Sequence, residues 1–267
     1  MRVLTLNLWG RRGDWEQRRA AIKAGLDALE PDLVAFQEAI VDRGYDQARD
    51  LLGPTFHLAH QTEREPDGQG ISVGSRWPTS RVHEVDLNVT ERTAGFACGA
   101  LVVEVETPQG PTIFANHLPS WQLAYERERE LQACELARFL ARFAADRHVV
   151  VAGDFDADPA SASVRFWTGR ASLGGTSVCY RDAWESRHGA EAGPTFTGEN
   201  PLVADWDWPF GRIDYVLVRC GEHGGPTLRI AACERIFDAP VGGVWASDHF
   251  GVVADLELPP APSPEED

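Results

Sequence analysis

Residues 2–8 (RVLTLNL) alternate in the manner of a strand with two unlike faces. Asp14 can then cap a helix whose apolar positions, Trp15, Ile22, Leu26 and Leu29, recur at helical spacing until Pro31-Asp32 ends it. Leu33-Val-Ala-Phe36 reads as a buried strand, so the chain opens strand–helix–strand, the pattern of an α/β layer. From Gly70 to His117 strands are predicted over 70–75, 80–90, 98–106 and 111–116, and this stretch is expected to be antiparallel. Residues 121–145, from Trp121 through Leu131, Leu136, Leu140 and Phe143, form the longest predicted amphipathic helix, with Glu126, Arg127, Glu128, Arg129 and Glu130 on its wet side. His148-Val-Val-Val-Ala152 is a strand, followed by a loop and a short helix opening at Pro159. Further strands are expected over 212–218, 227–236 and 250–258. No linker divides these elements, so one domain is expected over 1–258, with the Pro-rich acidic segment 259–267 a disordered tail.

Charge narrows the choice of partner. With 25 Lys plus Arg against 41 Asp plus Glu, the chain carries a net charge of −16. A protein that holds a long polyanion by its backbone needs a basic stripe, so long nucleic acid is not the expected partner. A small phosphorylated substrate is compatible, because a locally positive pocket or a bound cation overrules the global sign within about 8 Å. Lys23 is the only lysine, and the segment from Gly169 to Thr176, which has P-loop spacing, carries Gly175 where the phosphate-binding lysine must stand. Five scattered cysteines without a CxxC pair fit reduced thiols in a cytoplasmic protein. The short apolar start containing Asn7 is followed at once by arginines, the wrong order for a signal peptide, and no apolar run is long enough to span a membrane.

Chemistry-bearing residues collect where strands end and loops begin: Asn7, Glu38, Asn116-His117, Asp154 with Asp156, Asp214, and Asp248-His249. Singly, each is an ordinary residue of a turn or helix cap. Together they are one amide, several carboxylates and two histidines, without a thiolate cluster or HExxH. An oxygen-rich set of this kind suits a hard cation such as Mg²⁺ or Mn²⁺, and histidines beside it suit the growing charge on a phosphoryl group. Phosphoester hydrolysis is the reaction class this composition suggests.

In order along the chain, Leu4-Thr-Leu-Asn7-Leu-Trp9, Phe36-Gln37-Glu38, Asn116-His117-Leu118, Gly153-Asp154-Phe155-Asp156, Arg212-Ile213-Asp214-Tyr215 and Ser247-Asp248-His249 resemble the motifs of the endonuclease/exonuclease/phosphatase superfamily. The start Asn7-Leu-Trp9-Gly10, the long helix after His117-Leu118 and the run Pro209-Phe210-Gly211-Arg-Ile-Asp-Tyr215 are closest to neutral sphingomyelinase-like phosphodiesterases. The resemblance implies a deoxyribonuclease I-like α/β fold: a four-layer αββα sandwich of two mixed sheets, with the site at one rim. It also implies Glu38 as main metal ligand with Asn7 and Asp248 nearby. Asp154 would orient or deprotonate water, His249 held by Asp214 would donate to the phosphoryl oxygens, and His117 would contact the same phosphate from the opposite side. The family usually has Asn where this chain has Asp156, which adds a charge to the site. The segment Phe96-Ala-Cys-Gly-Ala100 also lacks the Glu, Arg or Lys that many members carry there, so His117 is expected to lack a charged partner.

Arg11 and Arg12, next to the Asn7 strand, are candidates for a phosphate clamp, and Trp121 and Trp208 for holding a cationic substrate group by cation–π contact. Three other readings are compatible with parts of the pattern. One is a nuclease of the same superfamily, and another is a phosphate-binding module with weak catalysis. The third is a serine hydrolase using Ser72 within Gly70-Ile-Ser72-Val-Gly74, which would need a strand–turn–helix elbow that the surrounding residues do not predict.

Overall fold

The computed structural model describes residues 1–143, 146–222 and 224–260. In chain order the first half comprises β1 (Arg2–Asn7), α1 (Trp15–Leu29), β2 (Leu33–Ile40), α2 (Gln47–Leu52), β3 (His57–His60), β4 (Gln69–Ser75), β5 (Thr79–Asp86), β6 (Gly99–Thr107) and β7 (Gly110–Leu118). The second half comprises α3 (Glu126–Leu140), β8 (His148–Asp154), α4 (Ala162–Trp167), β9 (Tyr180–Asp182), α5 (Ala183–His188), β10 (Asp214–Arg219), β11 (Arg229–Ile236) and β12 (Gly251–Glu257). They form two six-stranded sheets, ordered β11-β12-β1-β2-β4-β3 and β5-β6-β7-β8-β10-β9. In each sheet one central pair is parallel, β1 with β2 and β7 with β8, and the other pairs are antiparallel. This is the deoxyribonuclease I-like sandwich that the motif order implied.

Strict alternation along the central strands builds the layers. Val3, Leu33, Ala35, Phe114, Val150 and Val216 point into the core between the sheets. Their neighbours Leu4, Val34 and Phe36 face the helix layer of α1 and α2, and Ile113, Ala115, Val149 and Val151 face that of α3 and α4. Both faces of these strands are buried, which is why they read as continuous apolar runs. Near the rim the inward positions turn polar without being exposed. Thr5 donates to Gln37 Oε1 (3.2 Å), Gln37 Nε2 donates to Asn116 Oδ1 (2.7 Å), and Asn116 Nδ2 donates to the carbonyls of Phe36 and Ser72 (2.8 and 3.0 Å). This network fixes the two sheets against each other directly beneath the site, and every member has a partner, as burial demands. Gly153 is required where β7 and β8 run close, because a Cβ there would lie 2.0 Å from the His117 carbonyl oxygen.

Asp14 does cap α1, accepting from Gln17 N at 3.2 Å, and Glu30 in the left-handed region ends the helix before Pro31. The long helix begins at Glu126, later than Trp121, and Ala144 and Ala145 of its predicted end lie outside the described residues. Glu128 and Arg129 are also buried rather than wet. Arg92 pairs with Glu128 (3.1 Å), and Arg129 donates to the carbonyls of Ser120 and Gln122 (both 2.9 Å), holding residues 119–125 as a loop. Ser72 lies inside β4, fully buried, with its hydroxyl bonded to His60 Nδ1 (2.9 Å). No elbow presents it to solvent, so the serine-hydrolase reading fails. Residues 261–267 of the predicted tail lie outside the described residues. Among the described residues, no helix is long and apolar enough to cross a membrane.

Candidate active site

At one rim of the sandwich the ends of both sheets enclose a cleft of about 740 Å³, lined among others by Asn7, Arg12, Glu38, Asp154, Asp156, Asp248 and His249. Strand parity delivers most of them. Asn7 shares the inward face of Val3 and Thr5, and Asp154 that of Val150 and Ala152. Asp214 sits directly opposite Asp154 in the β8–β10 ladder. Glu38 breaks the rule: alternation would send it to the helix side with Phe36. A bulge between Phe36 and Ala39 re-aims it into the cleft, with its backbone at φ +51°. Trp9 and Asp156 also carry positive φ (+54° and +50°), so three of the five non-glycine residues in that region line this cleft. Backbone held in a disfavoured region at one place marks a site where side-chain direction outweighs local stability.

The polar contacts form one chain. Asn7 Nδ2 donates to Asp154 Oδ2 (3.0 Å) and lies 3.4 Å from Glu38 Oε1, while Asn7 Oδ1 accepts from Trp9 N (2.9 Å). Asp154 Oδ1 accepts from the Asp156 backbone N–H (3.1 Å). His249 Nδ1 is 3.0 Å from Asp214 Oδ2, and its Nε2 is 3.8 Å from Asp154 Oδ2. Arg12 Nη1 pairs with Glu38 Oε2 at 2.8 Å. Phe196 covers the imidazole, with ring centroids 4.9 Å apart.

Electrostatics follow from burial and crowding. Burial opposes a charge on His249, but Asp214, Asp154 and Asp248 outweigh it and hold the imidazolium protonated well above the usual range. Burial raises the carboxyls of Asp154 and Asp248 to about 6, with His249 partly offsetting the rise. Asp156 is driven well above its ordinary value by burial and then by the charge of Asp154. A protonated Asp156 offers one O–H donor and one carbonyl acceptor, close to the complement of the Asn that the family usually has. Asp156→Asn is therefore expected to keep at least the wild-type turnover and metal affinity. Weaker metal binding together with lost activity would instead make Asp156 a ligand.

The donor set suits a hard divalent cation. Glu38, Asp154, Asp156 and Asp248 converge with raised carboxyl pKa values, the mark of crowded negative charge, and Cys98, the thiol among the lining residues, is held neutral by burial, near 11. Asp154, Asp214 and His249 also present atoms within 4.8 Å of one another. There, however, His249 Nδ1 is engaged by Asp214 and the ring is protonated, so that group is a hydrogen-bonded relay. Glu38 and Asp248 are left to face a cation.

Several residues that build the site had no motif signal. Arg18, on the buried face of α1, donates to the carbonyls of Leu8, Arg12 (2.8 Å) and Ala246 (3.0 Å), tying the loop after β1 to the one before β12. A charge between Trp15 and Ile22 on an apolar stripe is the clue the sequence offered. Asn200 Nδ2 donates to the carbonyls of Ser247 and Asp248 (2.8 and 3.0 Å), and the Ser247 hydroxyl donates to the Asn7 carbonyl (2.6 Å). Thr195 Oγ1 accepts from the backbone of Ile213 and Asp214 (3.0 and 3.1 Å).

Two predicted residues lie elsewhere. Arg11 stacks over Tyr45 at 4.8 Å and does not line the cleft. His117 shares the helix-side face of Ile113 and Ala115, is 1% exposed, and meets the edges of Phe155 and Trp167, so it is not placed to contact a phosphate from the cleft. Its Nδ1 has no hydrogen-bond partner, in keeping with the missing charged neighbour. Burial lowers its pKa from 6.5 to about 3. The unfolded chain therefore takes up a proton below pH 6.5 that the folded chain refuses, and stability falls with pH by up to about 1.4 kcal/mol per unit. His117→Phe is expected to flatten that slope in urea titrations at pH 7 and pH 5. An unchanged difference between the two pH values would contradict a neutral, buried His117.

Sandwich, rim position and acid–histidine chain together define a phosphoesterase-type fold. The sequence model of the Endonuclease/Exonuclease/phosphatase family matches residues 4–249, and the chain belongs to that family. Curated relatives include sphingomyelin phosphodiesterase 2 of Homo sapiens, 26% identical over 297 aligned positions covering 99% of this chain and 67% of that protein. The Rattus norvegicus protein of the same name is 27% identical, covering 100% and 67%. Similar solved structures include D. rerio TDP2 complexed with single-strand DNA product, at TM-score 0.77, 17% identity and coverage of 95% and 97%. The human Nocturnin catalytic domain with bound sulfate has TM-score 0.73, 18% identity and coverage of 97% and 94%.

Proposed function

We propose that this protein is a divalent-metal-dependent phosphodiesterase that hydrolyses a small phosphodiester by attack of water on phosphorus. The observation that carries the reading is the convergence of Glu38, Asp154 and Asp248 with the Asp214–His249 pair on one cleft. Glu38 and Asp248 would hold Mg²⁺ or Mn²⁺, which neutralises the phosphate and polarises its oxygen. Asp154, with one oxygen on Asn7 and the other on the Asp156 N–H, is oriented to accept the proton of the attacking water. His249, held protonated, donates to a phosphoryl oxygen as charge grows there, and Asp214 fixes its ring. Arg12, already in the cleft on Glu38, is the cation within reach of a phosphate oxygen.

Aromatic rings form the far wall of the cleft. Trp121 is 53% exposed and its ring lies 6.4 Å from that of Trp208, which is flanked in sequence by the exposed acids Asp205 and Asp207. Indole faces beside carboxylates favour an amine or quaternary ammonium group on the substrate. The relatives named sphingomyelin phosphodiesterase 2 support the same choice, and the charge of −16 disfavours long nucleic acid. Turnover of an amine-bearing diester, a neutral diester, a monoester and single-stranded DNA with Mg²⁺ or Mn²⁺ tests this. The amine-bearing diester is expected to be the best substrate. Preference for DNA would favour the nuclease reading instead.

A further inference from the structure

We infer that Cys179 and Cys220 form a modification site: a reversible disulfide that staples the edge strand β9 to β10. Their Sγ atoms lie 3.3 Å apart. The Cys220 N–H donates to the Cys179 carbonyl (2.9 Å), continuing the ladder that pairs Arg219 with Tyr180 and Val218 with Arg181. The two residues are thus directly opposed in an antiparallel pair, where Cα atoms stand about 5.5 Å apart, inside the range a disulfide spans. Cys179 is exposed and Cys220 half-buried, whereas Cys98, Cys134 and Cys233 are buried. In this setting Cys179 is the thiol that a soluble oxidant can reach.

The chemistry balances with a disulfide oxidant such as oxidised glutathione. The Cys179 thiolate attacks one of its sulfurs and releases one glutathione thiol. Cys220 then attacks Cys179 Sγ and releases the second. The protein gives up two electrons and two protons, and the oxidant is reduced to two thiols.

The staple falls where the fold is weakly held. β9 is three residues long and pairs only with β10 at the sheet edge. Its Asp182 caps α5 and forms a buried ion pair with Arg212 (2.6 Å), two residues before Asp214. The bond would close a loop containing Thr195, Phe196, Trp208 and Asp214, so oxidation constrains the segment that forms the aromatic wall while touching none of the cleft's side chains.

The full chain is equilibrated with oxidised glutathione and compared with the reduced chain. The expected product has lost two titratable thiols and two hydrogens in mass, and gives a cross-linked peptide joining residues 179 and 220. Its Tm is expected to rise by roughly 5–15 °C, a gain absent from Cys179→Ser and Cys220→Ser, which keep wild-type turnover. A lasting glutathione adduct on Cys179, two thiols still free in excess oxidant, or a disulfide without a rise in Tm would each overturn the proposal.

Discussion

Glu38→Gly is expected to reduce phosphodiester turnover by about a thousandfold or more while leaving the protein no less stable than wild type. The two effects separate because Glu38 is held at φ +51° by the bulge that aims it into the cleft. A non-glycine residue in that region costs about 1 kcal/mol or more, which glycine relieves and its larger unfolded-state entropy partly offsets. Only the partly exposed pair with Arg12 is lost, and such pairs contribute little. Turnover and Tm measured on Glu38→Gly and on the isosteric Glu38→Gln decide the matter. A glycine variant that keeps its activity, or one that unfolds, would remove Glu38 from the role assigned to it.

Asp214→Asn is expected to lower kcat by about 10²–10⁴ with little change in KM, since it acts on the proton held by His249 and makes no contact with the cleft itself. Asparagine can still accept from Nδ1, so the ring keeps its place while losing the charge that favours imidazolium. His249→Ala should cost a similar amount, and the double variant no more than the worse single, as for groups acting as a unit. Additive losses would mean that Asp214 and His249 contribute separately.

The fold was legible because its central strands are buried on both faces and ended by motif residues, so pattern and motif order agreed. The elements missed, α2, β3, β9 and α5, are three to six residues long and carry too little periodicity to be read. Within the site, Asn7, Asp154, Asp214, Asp248 and His249 come together as expected, and Glu38 and Asp156 join them through backbone conformations that no residue pattern encodes. His117 shows the opposite limit. A motif places it one residue from Asn116, but strand parity turns that one step into the other face of the sheet. The pairing of Cys179 with Cys220 was hidden for a related reason, since 41 residues separate two positions that only the β9–β10 register brings together.

The central claim is metal-dependent attack of water on phosphorus at the Glu38–Asp154–His249 cleft. It is tested most directly by hydrolysing an amine-bearing phosphodiester in ¹⁸O-labelled water, with Mg²⁺ and again in excess chelator. The label is expected in the phosphate product alone, and turnover is expected to stop in chelator and return with added cation. Label in the released alcohol, or full turnover in chelator, would contradict the account.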